Sequence, residues 1–186
     1  MARLDRSEAA RKLMIETIGG RQTPRIKVES TTFGDGRIIP DAHSDYGDGV
    51  SPDLRWSDVP PGTRAVALVA EDPDAPQPMP CTHWLLYNLP PNIHELPAAL
   101  PPDERLSQFD GAAQGRASNG AIGYFGPHPP KDDAPHHYHF EVFCLDSPLD
   151  LRPGATRAEL MQAMAGHVLA KGEVVGLYEA PIGSER

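Results

Sequence analysis

Proline and glycine interrupt this chain so often that no long regular element can dominate it. There are 21 prolines and 17 glycines among 186 residues, roughly one position in five against a usual combined share of about 12%. Proline fixes φ and removes a backbone donor, and glycine weakens helix and strand interiors, so the fold must be assembled from short elements and many turns. Apolar residues at 39% and charged residues at 23% fit an ordinary globular chain and exclude a disordered one. The length suits one domain that buries a core without staples. Cys81 and Cys144 are too few for a disulfide framework and show no Cys-x-x-Cys pairing, so both are read as free thiols.

The apolar spacing predicts strands for most of the ordered chain. Residues 65–70 form a continuous apolar run bounded by turn signals, the mark of a central strand covered on both faces. Residues 26–33 alternate as a half-buried strand, and residues 34–62 read as a long turn-rich connection. Over residues 82–89 the alternation groups His83, Leu85, Tyr87 and Leu89 against Thr82, Trp84, Leu86 and Asn88. Over residues 136–145 it groups His136, Tyr138, Phe140, Val142 and Cys144, with His137, His139 and Glu141 opposite. A last short strand is predicted over residues 173–178.

Two helices are predicted. One covers residues 7–18, capped by Ser7, with Ala10, Leu13, Met14 and Ile18 on one stripe, packing on the outside. The other opens at the capping box Thr156-Arg157-Ala158-Glu159, carries Leu160, Met161, Met164 and Val168 on one stripe, and closes at Lys171-Gly172. There is no alternating β-α pattern, so the class is mostly β.

A formal charge of −9, with no lysine or arginine cluster, argues against nucleic acid and anionic membrane surfaces as partners. Neither an apolar leader core nor a stretch of membrane-spanning length is visible, which leads to the expectation of a cytoplasmic protein without integral membrane association.

Six of the eight histidines (His83, His94, His128, His136, His137, His139) fall between residues 83 and 139, with Asp72, Tyr138 and the loop Gly126-Pro127-His128-Pro129-Pro130 nearby. Imidazole titrates near neutrality and donates from both nitrogens when charged, and a neighbouring carboxylate holds it charged and oriented. A glycine-proline loop adds backbone amides at close approach, and a tyrosine adds a directional hydroxyl. Together these groups suit the reception of a small anion.

Several separated motifs now stand in order: Asp72-Pro73-Asp74-Ala75-Pro76, His83-Trp84, Gly123-Tyr124-Phe125-Gly126-Pro127-His128-Pro129-Pro130 and His136-His137-Tyr138. In these the chain resembles the phosphatidylethanolamine-binding protein family, and its bacterial Raf-kinase-inhibitor-like branch most closely, from about residue 26 to residue 178. The resemblance implies a fold of two antiparallel β-sheets with a few peripheral helices and a small pocket for phosphate or a phosphorylated headgroup. It divides the chain into an N-terminal helical extension, residues 1–25, and a domain, residues 26–186. A helix in the extension would either cover an edge or build a homodimer.

Carried over position by position, the family's ligand-binding residues correspond to Asp72, His83, Gly126, His128, Pro130, His136 and Tyr138. Asp72 would orient and charge a histidine, His83 and His136 would donate to the anion, Tyr138 would add its hydroxyl, and Pro130 would shape the wall. Two departures add imidazole: His137 stands where the family usually has arginine, and His128 where relatives of the bacterial branch often have cysteine. Losing the arginine fork predicts weaker or more pH-dependent anion binding.

Blander readings accompany these. Asp72 is also a turn residue before Pro73, a bond considered as a cis candidate. His137 and His139 suit an exposed strand face, since two histidines do not complete a zinc site. Cys81, two residues before His83, is more often a packed thiol than a nucleophile. Without a hydrolase motif the reading is a binding or regulatory protein rather than an enzyme, with no cofactor and no metal. The rival is a histidine- or metal-dependent phosphate-ester hydrolase. A third class is a regulator of a kinase or protease acting through a protein surface.

Overall fold

The computed structural model describes residues 12–182. Strand β4 (Ala65–Asp72) is buried along its whole length, as its unbroken apolar run predicts, because it lies between β5 (Cys81–Leu89) and β9 (His136–Leu145) in the middle of a sheet covered on both faces. Seven strands make that sheet, in the order β2-β10-β9-β4-β5-β8-β7. The remaining members are β2 (Arg37–Ile38), β7 (Arg105–Leu106), β8 (Ala112–Gln114) and β10 (Val168–Tyr178). A second sheet joins β1 (Lys27–Glu29), β3 (Leu54–Ser57) and β6 (Glu95–Leu96). The ladders are antiparallel except the short β2–β10 pair, which is parallel. The mostly β class and the two sheets agree with the sequence reading.

Alternation along β4 divides the core. Val66, Leu68 and Ala70 meet Trp84, Leu86, Phe140 and Val142, together with Val28, Leu54 and Trp56 of the small sheet. Ala65, Ala67 and Val69 face outward onto Leu85, Tyr87, Phe143 and two helices. These are α1 (Met14–Thr17) and α2 (Arg157–Met164). Thr156 caps α2 as predicted, accepting from the Glu159 N–H while the Glu159 carboxylate takes the Thr156 N–H at 2.7 Å.

Several expectations are corrected. In the described residues α1 is only Met14–Thr17; residues 7–11 of the predicted helix lie outside them. Leu13, Met14, Ile15 and Ile18 are all buried against the sheet, so this segment is part of the core; each such side chain contributes about 1.5–3 kcal/mol. Its polar ends are met by buried side chains of the sheet. Glu71 accepts the Met14 N–H at 2.8 Å, Glu141 accepts the Ile15 N–H at 2.9 Å, and Lys171 Nζ donates to the carbonyls of Ile15 and Ile18, each at 2.7 Å. Lys171 therefore does not close a helix. Helix α2 stops at Met164, Gly166 takes φ +83°, and β10 runs eleven residues from Val168, absorbing the strand predicted over 173–178. Strand β3 lies inside the stretch read as connection, too short to show a period amid its turn residues. No peptide bond among the described residues is cis, Asp72–Pro73 included.

Candidate functional site

The candidate site gathers where β4 ends and β9 begins. His136 and Tyr138 share the inner face of β9, and the antiparallel β4–β9 register, with Glu71 opposite His139, brings Asp72 alongside them. Asp72 Oδ2 lies 2.8 Å from His136 Nδ1, with both side chains almost wholly buried. Its other oxygen accepts the N–H groups of Asp74, at 2.8 Å, and Ala75, at 3.2 Å, so the carboxylate closes its own turn while holding the imidazole. The bland turn reading and the pocket reading thus describe two oxygens of one side chain.

His83 reaches this site through a backbone irregularity. Ala70 pairs with Trp84 but Glu71 pairs with Thr82, which leaves His83 as an extra residue in β5. The bulge breaks the alternation, so His83 leaves the face of Leu85 and Tyr87 and sets its ring edge-on to Tyr138, with centroids 5.1 Å apart. A similar shift at Asn88, where φ is +60°, carries Leu89 into the core between the sheets. The predicted grouping of Leu89 with Leu85 and Tyr87 fails for that reason.

The loop after Gly123 completes the enclosure. His83 Nδ1 lies 2.7 Å from the Phe125 carbonyl, and the Phe125 N–H donates back to the His83 carbonyl at 2.8 Å. Gly126 packs so tightly on the segment 43–45 that a Cβ would come within 2.7 Å of the His43 oxygen and the Asp45 nitrogen. His128 stands further out, 3.0 Å from an Asp45 oxygen and stacked on Tyr46 at 4.6 Å. Pro127 and Pro129 are the buried prolines of this loop, and Pro130, expected to form the wall, is exposed. The Pro130 carbonyl accepts the Asp133 N–H at 3.4 Å in a turn that carries Asp133 to within 3.4 Å of His136 Nε2.

The two histidines differ electrically. Burial opposes a charge on His136, but the hydrogen bond and charge of Asp72, helped by Asp133 and Asp74, outweigh it and raise its pKa above the ordinary 6.5. His83 goes the other way: burial lowers its pKa, despite the Phe125 and Gly126 carbonyls and Asp72. A carbonyl only accepts, so Nδ1 of His83 carries the proton and Nε2 of the neutral ring presents a lone pair. The expected donor role of His83 therefore requires it to take up a proton first. Tyr138 is buried, its hydroxyl has no hydrogen-bond partner among the described residues, and burial raises its pKa, which keeps the O–H intact as a donor. Burial likewise raises the Cys81 thiol and disfavours the thiolate, as the packed-thiol reading holds; Cys81 and Cys144 are both free.

Asp72, His83, Gly126, His136 and Tyr138 thus come together, while His128 and Pro130 lie outside the contacts around the Asp72–His136 pair. His94 is elsewhere, its carbonyl accepting the Trp56 N–H of the small sheet. Two supporting groups escaped the sequence reading. Asp133 had as its signal only a carboxylate three residues before His136. His137 fastens the loop after β4, its backbone N–H and Nδ1 lying 2.8 Å and 2.7 Å from one Asp74 oxygen. His139 pairs with Glu173 at 2.8 Å. No group of three or more His, Cys, Asp or Glu side chains suited to a metal ion occurs among the described residues.

The sequence profile described as phosphatidylethanolamine-binding protein matches residues 29–179, a span that holds every residue of this cluster. The chain belongs to the phosphatidylethanolamine-binding protein family. A UPF0098 protein of Pyrococcus abyssi is 42% identical over 162 residues, covering 87% of this chain and 89% of that one. The phosphatidylethanolamine-binding protein homologue CT736 of Chlamydia trachomatis superposes with a TM-score of 0.75 at 36% identity, covering 84% of this chain and 99% of that one. YbcL of E. coli, described as a member of the mammalian family, gives a TM-score of 0.79 at 31% identity over the same shares. Family membership and the two-sheet fold agree with the motif reading.

Proposed function

We propose that this family member is a binding protein for small oxyanions, phosphate or a phosphorylated headgroup, received at His136 and Tyr138, and that it is not a catalyst. What carries the reading is a buried imidazole whose charged form is favoured by Asp72, beside a buried tyrosine hydroxyl that has no hydrogen-bond partner among the described residues. The His136 and Tyr138 rings stack with centroids 6.5 Å apart, and a charge-assisted N–H beside a neutral O–H recognises an oxyanion more strongly than neutral donors would. Neutral His83 accepts as it stands, and a bound anion would draw a proton onto its Nε2. An unsatisfied buried hydroxyl costs about 1–3 kcal/mol, which a ligand oxygen would recover. The family's name supports a phosphorylated headgroup as one form of that anion.

One observation favours the rival hydrolase, since an Asp–His pair is also the orienting half of an acid–base site. Against it stands the lack of an activated nucleophile: the Cys81 thiol and the Tyr138 hydroxyl are both held protonated.

The deciding measurement is calorimetric titration with phosphoethanolamine and with sulfate at pH 6 and pH 8, using the parent protein and His136→Ala. Sulfate keeps its charge over this range, so its pH response reports the protein. Tighter sulfate binding at pH 6, abolished in His136→Ala, is the expected result. Equal affinity in parent and variant would overturn the site, and turnover of p-nitrophenyl phosphate that His136→Ala abolishes would favour the hydrolase.

A further inference from the structure

On the outer side of the large sheet, beyond the loop joining β4 to β5, lies a cavity of about 520 Å³. That volume falls within the range of roughly 300–1,000 Å³ common for small-molecule sites. Pro78, Met79 and Pro80 of the loop form one wall with Ala117, and Met79 is 54% exposed there. Thr82 lines the cavity and pairs with Glu71, whose carboxylate serves α1 on the outer face. The cavity is therefore separate from the Asp72–His136 site and shares with it only the loop that Asp72 and Asp74 fasten.

Two arginines reach the cavity, and their charges are met differently. Arg157, at the start of α2, is bound to the buried Glu71 carboxylate and to the Lys12 carbonyl. Arg116 donates from Nη1 to the Gly120 carbonyl at 2.7 Å, and no carboxylate among the described residues forms an ion pair with it. None of the lining residues is acidic. The nearby acids are engaged elsewhere: Glu71 with Arg157 and the Met14 N–H, Glu159 with the Thr156 cap. An apolar wall beside one cation that lacks a counter-charge among the described residues calls for an amphiphile with an anionic head, and a guanidinium fork matches a carboxylate through two parallel hydrogen bonds.

We propose that this cavity is a second binding site, for a small hydrophobic carboxylic acid. The carboxylate pairs with Arg116, and the hydrocarbon part lies on Pro78, Met79, Pro80 and Ala117. Because the cation is Arg116 and not a histidine, binding at this site does not vary between pH 6 and pH 8.

Octanoate is the probe, with octanol as the neutral control of equal length, titrated against the parent, Arg116→Gln, Met79→Asp and His136→Ala. The expected result is octanoate binding at least tenfold tighter than octanol, reduced at least tenfold by Arg116→Gln and by Met79→Asp, and unchanged by His136→Ala. Octanoate and octanol binding alike, or no octanoate binding to the parent, would overturn the proposal. Octanoate binding lost in His136→Ala but kept in Arg116→Gln would assign the carboxylate to the oxyanion site instead. Failure of sulfate to bind at His136 would leave the octanoate result standing, so the two readings fail independently.

Discussion

Asp133 Oδ2 stands 3.4 Å from His136 Nε2, while Asp72 holds the opposite nitrogen of the same ring at 2.8 Å. The imidazole is gripped between a buried carboxylate and an exposed one. Under the proposed function, Asp133 is the group that an oxyanion would have to displace from Nε2.

Replacing it with Asp133→Asn removes a like charge from beside Nε2 and keeps the side chain's size. At pH 6 oxyanion affinity should rise about two- to fivefold, the scale of an exposed charge pair. Titration with sulfate checks this; unchanged or weaker binding would show that Asp133 does not compete for Nε2.

Asp72→Asn acts on the buried side. Because the folded pKa of His136 is raised above 6.5, its contribution to stability is complete below the unfolded value and is lost as pH rises through the folded value. The variant should cost roughly 3–5 kcal/mol at pH 5.5, as for loss of one partner of a buried pair, and less at pH 8.5. Urea unfolding at both values reports the difference, and an NMR titration should find the His136 pKa lowered. An equal loss at both values would mean that the pair does not titrate as described.

Glu141 is the counterpart on the outer face, where burial and then the charges of Glu71 and Glu173 raise its pKa well above the usual 4.5. Its protonated form is favoured by folding, so its contribution is complete below the unfolded value and is lost as pH rises through the folded one. Glu141→Gln keeps an oxygen for the Ile15 N–H and stays neutral. Relative to the parent it should therefore gain stability as pH rises above the unfolded value in thermal melts from pH 5 to pH 9. A constant difference across that range would remove the titration argument.

Gly126→Ala tests the packing under the site. Its Cβ would meet backbone atoms of residues 43–45 at 2.7 Å, so the loop must shift, at a cost of about 1–3 kcal/mol. Since the Phe125 and Gly126 carbonyls hold the pKa of His83 up against burial, displacing them should lower it further below 6.5 along with the loss of stability. A destabilised variant whose His83 titration is unchanged would detach the loop from the site.

Much of the fold was legible from local pattern alone. The unbroken apolar run of β4, the alternation of β9 and the Thr156 capping box each carry their periodicity within a few residues, where side-chain chemistry and backbone geometry suffice to decide the element. Motifs in order were enough for the family and for the expectation that Asp72 orients a histidine, while which histidine it meets, His136, came from the structure.

Register and partnership were not legible, because they are set by the other strand. The same alternation that places His136 correctly misplaces His83 and Leu89, since bulges opposite β4 add a residue to β5 that no period in β5 announces. Lys171 reads as the end of a helix by charge and proximity to Gly172, yet it becomes a buried strand residue once the carbonyls of Ile15 and Ile18, more than 150 positions away in the chain, arrive to receive its ammonium. The sequence by itself determined which stretches are apolar, which alternate and which family they spell. Only the tertiary structure decided which face each histidine joins and which charge each buried group meets, because those outcomes depend on hydrogen bonds and burial between segments that are neighbours only after folding.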